Sequence, residues 1–411
     1  MVLALTCNGP GEFAGWVRPL LHALYARDPA LDAHLFFVPD DYATGREPDV
    51  ARALFPQLRV YRARDFIRAA LGRAVDGIPK RADRVQYLGG DLMHAIRLHR
   101  RLGGTATSYR FSRPRYRTTF ARVFAVDEAN RRQLLGWKTP DERIEVVGNL
   151  AIDGAFMEAQ GTFATLSSAE ARLARDGVII LPGSRRLEIA NMVPMFLAAA
   201  VHLRASSAQL PVAFGISPFT TEDELSRALA AGGDPLAYGI AGTIARDGEM
   251  TYLVAASGER FPIVRNAMLA ATSARLALTI PGTKVIELAA LGVPSVVCAP
   301  ANKPEVVVIN GPLQYLDRFP IVGTTLKRSA VVAFARRFRF VAQPNIDAGQ
   351  MLVPELRGTL TPGHIARTVL ERMHDDDWCE RTSAALRTLY GGHAGAAGRM
   401  ATRLLEPIAV P

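Results

Sequence analysis

The sequence predicts an α/β protein of two doubly wound, mostly parallel sheets, and three observations carry that prediction. First, 411 residues are more than one hydrophobic core usually serves, so two domains are expected. Second, short apolar runs alternate with helical periodicity over residues 2–147 and again from 177 onward, the order that builds parallel sheets. Third, several runs end in a glycine-bearing loop that opens a helix, and such loops lie where these sheets collect ligands. The reading gives an N-terminal domain over residues 1–160, a C-terminal domain over 161–375, and closing helices over 376–411, for which packing back on the first domain is one option.

Residues 2–7 read as a strand that runs into Asn8-Gly9-Pro10, which is no signal peptide. The turn NGPGEFAG then leads into a helix over about 16–25. Further strands are expected at 33–38, 58–61, 84–88, 106–109, 122–126 and 144–147, with helices at 65–75, 92–102 and 128–135. Residues 154–168 are rich in Ala, Gly, Ser and Thr and read as a crossing between domains. The alternation resumes with a strand at 177–181, a loop at 182–186 and a long helix at 187–203. Strands at 211–215, 251–255, 274–278, 295–298 and 339–341 complete the second sheet. Helices at 364–374 and 378–389 close the chain, with no place assigned by the sequence. No run reaches the roughly 18 uninterrupted apolar residues of a spanning helix, so an integral membrane protein is not expected.

The clearest single unit is RLALTIPGTKVIELAALGVPSVVC over 275–298: strand, Pro-Gly loop, a helix closed by Gly292, strand. Gly282 permits close approach of the backbone to a ligand, and the amides of Thr283 and Lys284 open a helix whose dipole favours an anion. Lys284 adds a full charge, and Glu287, a turn further on, offers acceptors for neighbouring hydroxyls. The alternative is an ordinary helix capped by Thr283, with Glu287 in solvent.

The formal charge of +10 is unevenly spread. Residues 59–122 hold sixteen Lys and Arg against four Asp and no Glu. Segments such as YRARDFIRAALGRAV and SYRFSRPRYRTTFARVF mix cations with aromatic and aliphatic residues, which suits anionic lipid or RNA as well as a solvated basic face. Cys7, Cys298 and Cys379 form no C-x-x-C, and the first two lie in apolar strands, so reduced buried thiols are expected. His94 and His99 read as members of the basic face, and the histidines show no metal-ligand spacing. Asp375-Asp376-Asp377 contains a D-x-D but most simply caps the helix that follows.

Four loops follow strands and carry suitable groups: 8–12, 89–91, 182–186 and 281–287. Here the chain resembles a known family. ILPGSRRLEI, GTKVIELAALGVPSVV and PNIDAGQMLVPEL, together with GPGEFAG, YLGGD and VVGNLAIDGA, are similar to the motifs of lipid-A-disaccharide synthase, a GT-B glycosyltransferase with two Rossmann-like domains facing a cleft. The resemblance implies inverting transfer of an acylated glucosamine from UDP-2,3-diacylglucosamine to 2,3-diacylglucosamine 1-phosphate or a related glycolipid acceptor. It implies release of UDP, no metal or other cofactor, and a peripheral place on the cytoplasmic membrane face. The basic 59–122 region would then meet anionic lipid, and no nucleic-acid partner is expected.

The resemblance also implies roles. Asp91 matches the catalytic base, although Asp ahead of a helix is also a favoured N-cap. Arg185 matches an arginine beside the leaving diphosphate, with Gly183 and Ser184 in the same UDP-sugar loop; otherwise Ser184 is a cap, and Arg186 stands as a substitute. Glu12, with Gly9 and Gly11 in the acceptor-side loop, would touch acceptor or sugar, or else complements a helix dipole. Gly282, Thr283 and Glu287 match the nucleotide loop, in which Lys284 and Val285 replace small residues of the family, and Asn345 and Glu355 match further donor-site positions, although Pro-Asn also favours a plain turn. Ala14-Gly15-Trp16, Pro281 and Ser112 to Arg115 depart from the family pattern. Two other readings stand beside the transferase: a UDP-sugar 2-epimerase of the GT-B type, which needs no acyl-binding surface, and a non-catalytic membrane- or RNA-binding relative.

Overall fold

The computed structural model of the protein describes residues 1–40, 43–110, 119–161, 172–233, 235–301 and 339–407. The Ser112 to Arg115 departure and the 162–168 part of the expected crossing lie outside them. The chain divides into two compact units, Met1–Gly154 with His393–Pro411, and Ala155–Gly392.

The first unit is a seven-stranded sheet in the order β3-β2-β1-β4-β5-β6-β7, parallel throughout. Its strands are β1 (Val2–Cys7), β2 (Asp32–Phe37), β3 (Arg59–Tyr61), β4 (Arg84–Tyr87), β5 (Thr105–Tyr109), β6 (Arg122–Ala125) and β7 (Ile144–Val146). Most of their residues are buried, as expected where helices cover both faces of a sheet. The chain reverses its direction of growth between β1 and β4, which pair from Leu3↔Arg84 to Thr6↔Tyr87. Ligands of doubly wound sheets gather at such a reversal, at the carboxyl ends of the strands.

The helices of this unit are α1 (Pro10–Glu12), α2 (Arg18–Arg27), α3 (Glu47–Leu54), α4 (Ala63–Ala70), α5 (Leu92–Leu102) and α6 (Glu128–Gly136); α7 (Leu150–Ala159) follows at its end. Two expectations are corrected. The glycine-rich turn after β1 is already helical from Pro10, and it passes through a π-helical stretch, Phe13–Val17, into α2. Proline presets the first helical φ, and the wide π turn absorbs the surplus residue that a regular helix would push out of register. The start of the expected crossing is α7, whose Asp153, 6% exposed, accepts from the Gly395 and Ala397 amides at 2.6 and 2.5 Å. Those bonds dock the C-terminal helix Ala396–Leu405 against the first unit.

The second unit is an eight-stranded sheet in the order β10-β11-β12-β9-β8-β13-β14-β15. Its strands are β8 (Val178–Leu181), β9 (Val212–Gly215), β10 (Gly242–Asp247), β11 (Met250–Ala255), β12 (Arg260–Val264), β13 (Leu276–Thr279), β14 (Ser295–Pro300) and β15 (Glu355–Gly358). Its reversal lies between β8 and β13. The antiparallel β10-β11-β12 edge extends a sheet that reads from sequence as mostly parallel; of its strands only β11 is expected there, since Gly242–Asp247 carries two charges and Arg260–Val264 an Arg and a Pro. Residues 339–341 form no strand, and β15 closes the sheet instead. The amides of Val341 and Ala342 donate to Glu355 Oε1 at 2.9 and 2.8 Å and so are taken from any ladder.

The helices here are α8 (Arg186–Ser206), α9 (Glu222–Ala231), α10 (Ala267–Ala271), α11 (Thr283–Ala290), α12 (Gln343–Ala348), α13 (Pro362–Met373) and α14 (Asp376–Tyr390). Among the described residues α8 alone is long and apolar enough to cross a membrane. Its Met192, Val193, Phe196, Leu197 and Leu203 are buried in the core against β8, β9 and β12, so its apolar surface is used within the fold. Gly292 ends α11 with φ +71°, where an added side chain would collide with Arg387. The helix α14, grouped by the sequence reading with the tail, belongs to the second unit.

Candidate functional site

In the first unit the loops after β1 and β4 lie side by side at the reversal. Leu88 donates its amide to Thr6 O at 3.2 Å, so the end of β4 continues along β1. Tyr87 Oη donates to Gly90 O at 2.8 Å and pins the Gly89-Gly90 turn. A side chain at Gly89 would run into Asn8 Oδ1 and lie 3.3 Å from Glu12 Cβ; the turn is glycine because the β1 loop presses on it. The packing brings Glu12 beside the turn that carries Asp91. Gly9 lies against Asp40 and Glu12, whereas Gly11 faces open space.

Asp91 is exposed and caps α5, accepting from the Met93 amide through Oδ1 at 2.8 Å. The capping expected of this residue is thus present, and it engages one oxygen of the two. Cys7, buried at the end of β1, has its thiol pushed well up, first by burial and then by Glu12, Glu47 and Asp40.

In the second unit the Thr279 hydroxyl bonds Leu181 O at 3.2 Å and ties together the ends of β8 and β13. The two helix starts beside them differ. At α8, the Ser184 and Arg185 amides both donate to Glu188 Oε2, at 2.8 and 2.9 Å. Gly183 has φ +103°, and a side chain there would collide with Glu188. An internal carboxylate thus occupies the amides where the sequence placed an anion, and it approaches Arg185 Nη1 at 3.5 Å as well. Ser184 is not the cap, because Glu188 reaches back to the turn.

At α11, Gly282 is extended and has nothing within 4 Å of where a side chain would stand. Thr283 opens the helix and does not cap it with its side chain. Glu287 is buried, not in solvent, and its Oε2 lies 2.5 Å from Lys284 Nζ; Glu158 Oε2, from α7, lies 3.9 Å from the same ammonium. Sequence reasoning missed Glu158, since nothing local ties residue 158 to residue 284. It also missed Glu188, which the three-residue spacing from the loop could have revealed.

Asn345 and Glu355 prove to be builders of a turn. Asn345 is fully buried; its Nδ2 donates to Val353 O and Glu355 Oε1 at 2.8 and 2.9 Å, and its Oδ1 accepts from the Leu352 and Val353 amides at 2.7 and 2.9 Å. Glu355 accepts in addition from two backbone amides and is paired with Arg357. Their polar atoms are engaged inside the chain, in the turn that Pro-Asn favours. Asp375 caps α14 through the Trp378 amide at 2.9 Å. Among the described residues no group of three or more His, Cys, Asp or Glu is placed to hold a metal ion.

No family model matches the sequence, and no curated protein matches it. Solved structures do. The chain is similar to the UDP-GlcNAc 2-epimerase of Neisseria meningitidis bound to UDP-GlcNAc, with TM-score 0.59 and 14% identity over 99% of this chain and 100% of that one. It is similar to the S. aureus MnaA–UDP structure, with TM-score 0.58 and 12% identity over 98% and 95%. A putative UDP-N-acetylglucosamine 2-epimerase of Listeria monocytogenes gives TM-score 0.55 and 14% identity over 98% and 95%. The chain has the GT-B fold. The same likenesses overturn the expectation of a lipid-A-disaccharide synthase acting on an acylated acceptor, since proteins described as 2-epimerases match it along nearly its whole length. The physical reason is visible in the motifs that carried that expectation. PGSR and PN..AG..LVPE set a helix start and a hydrogen-bonded turn, and such backbone geometry does not specify a lipid acceptor.

Proposed function

We propose that the protein is a UDP-sugar enzyme that inverts the sugar at C2, as a 2-epimerase of the GT-B type. The observation that carries this reading is the likeness to several UDP-N-acetylglucosamine 2-epimerases across 98–99% of the chain. The open start of α11 supports it: Gly282, Thr283 and Lys284 are assigned the diphosphate, and Glu287 the ribose once Lys284 turns to the phosphates. Arg185 is assigned to the diphosphate through its side chain, since the amides beside it are engaged.

Epimerisation breaks the C2–H bond, whose electron pair forms a C1=C2 bond as the C1–O bond to UDP breaks; a proton then returns to the opposite face of C2 and UDP adds back at C1, so substrate and product are isomers and no second substrate is consumed. A general base must take the proton, and Asp91, with Glu12 beside its turn, is assigned that task. The test is UDP-GlcNAc in deuterium oxide with no acceptor, followed by proton NMR. A second set of sugar signals and loss of the C2 proton are expected. UDP binding without any exchange at C2, or UDP release that requires another sugar, would overturn the reading.

A further inference from the structure

We propose that Arg110 reads the substituent at C2 of the sugar, its guanidinium donating to the carbonyl oxygen of a 2-acetamido group. The inference rests on the UDP-sugar 2-epimerase reading and adds a specificity residue to it. Arg110 directly follows β5, whose Ser108 pairs with Tyr87 of β4. Continued by two residues, that register sets Arg110 at the level of Gly89, in the turn that leads to Asp91. The same turn meets the β1 loop, since a side chain at Gly89 would lie 3.3 Å from Glu12 Cβ. The carboxyl ends of β1, β4 and β5 thus meet around one turn.

Arg110 is exposed and has φ +47°, a conformation that a residue with a side chain adopts at a cost. Its amide, which donates to Phe124 O at 2.9 Å, holds it there. The guanidinium carbon stands 5.9 Å from the centre of the Trp16 ring. Trp16 in turn stands edge-on to Tyr109, with centroids 5.6 Å apart at 72°. The buried Tyr109 hydroxyl donates to Gly148 O at 3.2 Å and accepts from the Leu150 amide at 2.9 Å. A fixed ring therefore positions Trp16, and Trp16 positions the cation. Among the described residues Arg110 makes no ion pair, which leaves its donors open to a ligand. Asp91 and Glu12 at the same turn only accept hydrogen bonds when ionised, so neither can recognise a carbonyl oxygen, whereas an arginine only donates. Because Asp91 is assigned the C2 proton, the group that C2 carries is the one within reach of its neighbour.

Arg110→Met keeps the stem against Trp16 and removes the donors; Arg110→Gly removes both and suits φ +47°. Binding of UDP, UDP-GlcNAc and UDP-glucose, which has a hydroxyl at C2 and lacks the acetamido oxygen, is measured by calorimetry beside the thermal midpoint. Both variants are expected to lose about tenfold or more in affinity for UDP-GlcNAc and to stay within about threefold of wild type for the other two ligands. The midpoint of the Gly variant is expected at or above that of wild type. Variants that keep the wild-type preference for UDP-GlcNAc over UDP-glucose overturn the inference. So does an equal loss of all three ligands, which would place Arg110 on the diphosphate or in the packing. Wild-type protein that binds none of the three sinks the functional reading and this inference with it; wild-type protein that binds UDP-GlcNAc and UDP-glucose alike sinks this inference alone.

Discussion

Asp91 holds a helix start with one oxygen and offers the other to solvent, so its two tasks can be separated by substitution. Serine caps almost as well as aspartate but carries no charge. Asp91→Ser is expected to keep the thermal midpoint of wild type and to lose about 10²–10⁴-fold in C2 exchange, whereas Asp91→Ala should also lose about 1 kcal/mol of stability. Calorimetry beside the NMR assay checks both. A second residue sets a pH dependence. His34 is fully buried, with Nδ1 2.9 Å from Tyr61 Oη, and burial lowers its pKa below 6.5, with Asp32 opposing. The folded chain therefore binds fewer protons than the unfolded one. Its contribution is complete above pH 6.5 and is lost as pH falls below that. The drop in midpoint between pH 7.5 and 5 should be smaller in His34→Gln than in wild type.

Two helices start at the β8/β13 reversal, and only one of them receives an internal carboxylate. That difference yields opposite outcomes for the same substitution. Gly183→Ala places a side chain at φ +103° against Glu188 and is expected to destabilise the protein by about 1–3 kcal/mol. Gly282→Ala is sterically open and extended; it should leave the midpoint unchanged and weaken UDP binding by hindering approach to the amides of α11. Equal effects on stability would contradict the assignment of α11 as the anion-binding start. The C-terminal helix offers a further check: Asp153→Ala removes one buried and one part-buried hydrogen bond and should cost about 2–5 kcal/mol, with faster hydrogen exchange over 396–405.

At the scale of the molecule, two sheets with separate cores make a single all-or-none transition unexpected. Calorimetric enthalpy should exceed the van't Hoff value, and saturating UDP should raise one transition more than the other, by about 2.7 kcal/mol at a hundredfold excess over Kd. Uniform stabilisation of a single transition would contradict ligation through the second unit. The basic excess of residues 59–122 belongs to the first unit. The structural likenesses supply no lipid partner for it.

The strand-helix alternation and the four loops that carry the candidate groups were legible from residues alone, because periodicity and glycine placement are local properties; the strand orders that put those loops at two reversals were not. So was the caution that Asp91 and Asp375 cap helices. What the loops do was not legible in the same way. Gly183 and Gly282 look alike in sequence, yet one accommodates Glu188 and the other faces open space. Asn345 and Glu355 are joined by a hydrogen bond that their sequence separation does not announce. Local patterning determined where ligands gather; only tertiary packing decided which polar atoms were already satisfied, because satisfaction depends on partners brought from distant parts of the chain.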